Sequence, residues 1–117
     1  MSLVSPQPLQ KRPVQGWVKE EIKLEQWAVN RASCIVHKLY NVASAGWPDR
    51  LFAWPPPRGH EYVEFKAEGE RLRKLQKYRG EQLARSGHKV FTIDNKQDAK
   101  RYLDGELEPT FLPKTSD

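Results

Sequence analysis

Between Glu61 and Ala67 apolar and charged residues take turns along the chain. Val63, Phe65 and Ala67 fall on one side and Glu64 and Lys66 on the other, the period of two that a β-strand imposes. Upstream the period lengthens. From Gln15 to about Ala32, Trp17, Glu21, Leu24, Ala28 and Arg31 or Ala32 share one side, while Lys19, Lys23, Gln26 and Asn30 lie mostly elsewhere, which predicts a helix. Cys34–Tyr40 is short and β-branched enough for a first strand. Asn41–Trp47 reads as a loop. Pro48 biases Trp47 toward an extended backbone, and Asp49–Trp54 reads as a second strand. Pro55-Pro56-Pro57-Arg58-Gly59 cannot continue a strand and makes a stiff connection into the third, Glu61–Ala67. After Gly69 a helix is predicted over Leu72–Ser86, with Leu75, Tyr78, Gln82 and Leu83 as its inner stripe and Gly87 as its C-terminal cap. His88–Asp94 is the fourth strand, and Asn95–Leu103 a last short helix with Asn95 as N-cap. The order is αβββαβα. A helix crossing between the third and fourth strands implies a mixed sheet flanked by helices, an α/β fold.

The domain so defined spans residues 15–104, with a Pro-rich extended arm before it (residues 1–14) and a tail after it (residues 105–117). A length of 117 residues accommodates one core and not two. Twenty Lys and Arg against fifteen Asp and Glu leave a net charge of +5, which permits nucleic-acid binding without demonstrating it. The single Cys34 excludes an internal disulfide, as expected of a reducing compartment, and its neighbours Ile35 and Val36 predict a buried thiol. No apolar run reaches the roughly 18 residues of a membrane span, and no signal-peptide core is evident. The expectation is a cytoplasmic protein.

The chemistry concentrates in three stretches: Pro48-Asp49, Glu64-Phe65-Lys66 and Gln76. Asp49 lies 15 residues before Glu64, and Lys66 follows Glu64 by two, on the same strand face. Singly, Pro48-Asp49 is a turn signal and Glu64 with Lys66 an ion pair on an exposed strand. Two carboxylates and an ammonium at one edge are a poor core, because unpaired charges are costly to bury. They are a good way to hold a divalent cation beside a phosphate. Arg71, Arg73, Lys74, Lys77 and Arg79 add five cations within nine positions, suited to a phosphate backbone. His37, His60 and His88 lack metal-ligand spacing, and there is no Gly-rich phosphate loop or Ser-His-Asp set.

Gly46-Trp47-Pro48-Asp49-Arg50, Glu64-x-Lys66 and Gln76 together resemble the PD-(D/E)XK nucleases. More narrowly they resemble the VRR-NUC group, the virus-type replication-repair nuclease domain in its stand-alone phage and bacterial form. The likeness runs from about Glu21 to Asp94 and departs at Trp47, where a small or branched aliphatic residue is more usual. It implies a restriction-endonuclease-like core and a Mg²⁺- or Mn²⁺-dependent endonuclease without organic cofactor. Asp49 and Glu64 would be metal ligands together with the Phe65 backbone carbonyl. Lys66 would act on the attacking water and the phosphate, and Gln76 would sit beside the lysine. The helical carboxylate of the family falls on Glu21 or Glu25, one turn apart. Glu21, followed three residues later by Leu24, fits better than Glu25, followed by Ala28. Arg50, Arg71, Arg73, Lys74, Lys77 and Arg79 would contact DNA. The small stand-alone relatives imply a homodimeric four-way (Holliday) junction resolvase. A flap- or end-directed nuclease of the same fold, or a non-catalytic DNA-binding module, are the alternatives.

Overall fold

The structure is a computed structural model that describes residues 14–40 and 46–113, with backbone only for residues 14–18. The arm read over residues 1–14 thus falls, but for Val14, outside the described residues, as do residues 41–45 of the loop and 114–117 of the tail. Among the described residues seven elements follow the order αβββαβα: α1 (Val14–Arg31), β1 (Ile35–Lys38), β2 (Arg50–Ala53), β3 (His60–Phe65), α2 (Lys74–Arg85), β4 (Lys89–Ile93) and α3 (Lys96–Leu103). The sheet runs β1-β2-β3-β4, antiparallel across the first three strands and parallel between β3 and β4. It is a mixed α/β fold. Among the described residues no helix is long and apolar enough to cross a membrane.

Local chemistry sets the helix ends. The Asn95 side-chain oxygen accepts the Asp98 N–H at 2.8 Å, satisfying a first-turn donor of α3 that would otherwise lack a partner. At the end of α2, Gly87 adopts φ +93°, and the Gly87 and His88 N–H groups donate back to the Ala84 and Leu83 carbonyls. A residue with a Cβ would be strained there.

Parallel register puts Val63 beside Phe91 and Phe65 beside Ile93, so this stretch of one sheet face is apolar. Leu24 and Ala28 of α1 and Ala99 and Tyr102 of α3 cover it, forming the core with Phe52 and Trp54. The Trp54 indole N–H donates to the Tyr102 hydroxyl at 2.9 Å, so the two polar atoms of this aromatic cluster satisfy each other.

Three expectations are corrected. The stripe read for α2 holds only at Leu83: Leu75 is 46% exposed, Tyr78 and Gln82 are also exposed, and the buried positions are Gln76, Gly80, Leu83 and Ala84. The rest of the inner face is polar or small, because it meets the polar Glu64 and needs a gap at Gly80 for the Phe111 ring. Nor is the thiol at β1 fully buried. This edge strand turns Ile35 outward, 67% exposed, and leaves Cys34 half-buried. Part of the segment read as a tail also joins the sheet, the Thr110 and Phe111 N–H groups donating to the Val90 carbonyl at 2.8 and 3.1 Å.

Candidate metal centre

Asp49 immediately precedes β2, where the Leu39 N–H donates to its backbone carbonyl at 2.9 Å. Its carboxylate accepts the Phe65 N–H at 2.8 Å, which ties the start of β2 to the end of β3. That bond places Asp49 next to Glu64. Glu21 arrives from α1, and one carboxylate oxygen from each of Glu21, Asp49 and Glu64 lies within 4.8 Å of the others. Three elements far apart in sequence thus deliver three carboxylates to one point.

Lys66 and Gln76 complete the cluster. The Lys66 amine lies 3.7 Å from Glu64 and 3.7 Å from Glu70. The Gln76 amide is fixed at both ends. Its oxygen accepts the Arg73 backbone N–H at 2.8 Å at the start of α2, leaving its NH₂ to donate to Glu64 at 2.8 Å. Glu64 and Lys66, for which an exposed strand face was the plain alternative, are only 5% and 4% exposed.

Burial and mutual repulsion govern the charges. Desolvation, and then the Asp49 carboxylate, push the Glu64 pKa up to about 8, against the pull of Lys66. Desolvation, with Asp49 and Glu70 beside it, pushes Glu21 up to about 7. Asp49 is raised by burial too, while the Phe65 N–H holds it back. Four carboxylates crowd round the single amine of Lys66, and for want of further positive charge they hold protons. A donor set of hard oxygens that gives up those protons to a divalent cation fits Mg²⁺ or Mn²⁺.

Glu25 lies apart from the cluster, its carboxylate held by the Arg50 Nε and by the Lys38 amine at 3.4 Å. Glu21 is therefore the carboxylate that α1 presents to the site. Arg50, read from sequence as a DNA contact, has that Nε on Glu25 and a largely buried side chain. Arg71, Arg73, Lys74 and Lys77 are exposed at and before the start of α2. Arg79 is half-buried, its guanidinium 5.0 Å from the Trp47 ring centre, and Trp47 also packs on Tyr62 at 6.1 Å. Trp47 thus fills space beside the site without displacing Asp49.

Glu70 escaped the sequence reading. The turn after β3 brings it back: the Glu70 N–H donates to the Ala67 carbonyl at 2.9 Å, and its carboxylate accepts the Ala67 N–H at 3.0 Å. Gly69 at φ +84° makes the turn possible, and a Glu-Gly-Glu run after a strand is the signal that was available. Glu61 was missed too. It is 1% exposed on the core face and held by Arg58 at 3.0 Å and Lys89 at 2.9 Å. No protein-family model matches the chain, and no curated protein matches it.

Proposed function

We propose that this protein is a Mg²⁺- or Mn²⁺-dependent deoxyribonuclease with a PD-(D/E)XK core of the VRR-NUC kind, hydrolysing phosphodiester bonds in branched DNA. The observation that carries the reading is the convergence of Glu21, Asp49 and Glu64 within 4.8 Å, with the Lys66 amine 3.7 Å from Glu64. Glu21, Asp49 and Glu64 would hold the cation with the Phe65 carbonyl. When bound, such a cation stabilises charge on the scissile phosphate and makes water more acidic. Lys66 holds a positive charge where the phosphate arrives and offers hydrogen bonds to the attacking water. Gln76, anchored on the Arg73 N–H, keeps Glu64 from rotating away. The exposed cations Arg71, Arg73, Lys74 and Lys77 take neighbouring phosphates without reading sequence.

The test is a panel of end-labelled duplex, flap, splayed and four-way substrates, incubated with Mg²⁺, Mn²⁺ or EDTA. Metal-dependent cleavage of branched substrates is expected, and paired symmetric nicks in the four-way junction would establish the resolvase. Binding without cleavage under every metal condition overturns the enzyme and leaves a DNA-binding module.

A further inference from the structure

Lys66 has a second neighbourhood. It lines a cavity of about 410 Å³ that Glu21, Asp49 and Glu64 do not line, so the lysine stands between the carboxylate cluster and this hollow. The volume falls in the range of roughly 300–1,000 Å³ typical of small-ligand pockets. Leu24, Trp27 and Ala67 supply an apolar wall. Lysines and acidic residues line it in equal number, three of each, so the hollow carries little net charge.

That balance decides what fits. A phosphate would be repelled by the carboxylates as much as drawn by the amines. A flat uncharged heterocycle meets no such conflict, since carboxylates accept from its amino groups, amines donate to its ring nitrogens and carbonyls, and an aromatic wall stacks on its face. Trp27 is half-buried, with two cations near its ring centre: the Arg31 guanidinium at 4.4 Å and the Lys96 amine at 5.3 Å. Arg31 lines a separate cavity beside Trp54 and not this one. Lys96, which lines the hollow with Trp27, is an exposed side chain that can swing aside from the ring.

We propose that this cavity receives one unpaired nucleobase, stacked on Trp27, from the nucleotide beside the phosphate that Lys66 faces. The proposal rests on the nuclease reading above and sharpens it. A base paired within a duplex must first be extruded, whereas a base already unpaired at a branch point enters without that cost. The site would thereby select strands with an unpaired nucleotide next to the cut, independently of its sequence.

The experiment uses the whole protein in EDTA, so that binding is read without cleavage. 2-Aminopurine is placed in turn at each position around the branch point of a splayed or four-way substrate. Binding is expected to quench its fluorescence at one unpaired position, and an abasic residue there is expected to weaken binding about tenfold. Trp27→Leu is expected to abolish the quenching and bring the abasic-to-base ratio close to one. Equal affinity for base-bearing and abasic substrates overturns the proposal, as does a Trp27→Leu protein that still discriminates. Should Trp27→Leu fail to fold, the abasic comparison on the unaltered protein decides alone. The nuclease reading fails separately, by absence of metal-dependent cleavage, and the binding readout does not depend on it.

Discussion

Glu64 and Asp49 repel each other in a partly desolvated site, so neutralising one of them should separate activity from stability. Glu64→Gln keeps the volume and can still accept from Gln76, but it removes a charge that burial disfavours. Cleavage is expected to fall more than about a hundredfold while the metal-free protein melts at a higher temperature than wild type. Retained cleavage would dismiss the assignment of Glu64. Gln76→Ala leaves the clustered carboxylates in place and removes only the amide that steadies Glu64; a loss of about 10- to 100-fold in activity or metal affinity is expected from titrating both. The pH dependence has a definite sign. Glu64 at about 8 and Glu21 at about 7 both lie above the ordinary 4.5, so the folded protein holds these protons more tightly than the unfolded chain does. Their stabilisation is complete below the ordinary value and is lost as pH rises through 7 and 8. Thermal melts without metal should therefore decline from about pH 5.5 to about pH 8.5. Added Mn²⁺ should stabilise more at the higher pH, because metal binding needs deprotonated carboxylates. A flat metal-free profile would mean that the three carboxylates are not crowded as described.

At the scale of elements, α2 carries the largest departure between pattern and packing. Its helical span was legible from composition and from Gly87, yet its inward face was legible only at Leu83, because Gln76 and Gly80 look like surface residues. Gly80 faces Phe111 so closely that an added Cβ would come within 2.4 Å of the ring. Alanine is the better helix former by about 1 kcal/mol, so an exposed helical glycine would gain from the change. Here Gly80→Ala is expected to destabilise by about 1–3 kcal/mol in denaturant melts, since Phe111 must leave its seat on β4. Combining it with Phe111→Ala should recover much of the Gly80→Ala penalty in a double-mutant cycle. Additive losses would show that the two residues do not meet. The strands were easier to read, because alternation and the proline punctuation bounded them to within a few residues.

At the scale of the whole molecule, the large apolar residues divide between core and surface. Phe52 and Trp54 lie in the core, whereas Ile22, Ile35, Tyr40, Leu75, Tyr78 and Leu112 are exposed. A closed two-fold dimer would cover part of that apolar surface and hold two of the carboxylate clusters at a fixed separation. Light scattering is expected to report a dimer, and mapping of both cut strands a nick spacing that does not vary with junction sequence. A monomer at micromolar concentration that cuts one strand only would remove the resolvase and leave a flap- or end-directed nuclease.

The sequence by itself determined the element order, the mixed sheet and the pairing of Glu64 with Lys66 on one strand face. These depend on short-range periodicity, turn residues and spacing, which need no knowledge of neighbours. Only the tertiary structure decided between Glu21 and Glu25. The two share a helix face one turn apart, and what separates them is that Arg50 on β2 reaches Glu25 while Asp49 and Glu64 meet Glu21. Tertiary structure likewise turned α2 onto its polar and glycine face and brought Glu70 back toward Lys66. In each case the outcome was set by a partner distant in sequence or by the path of a turn. A carboxylate's role depends on which charge lies opposite it, and the chain fixes that only once folded.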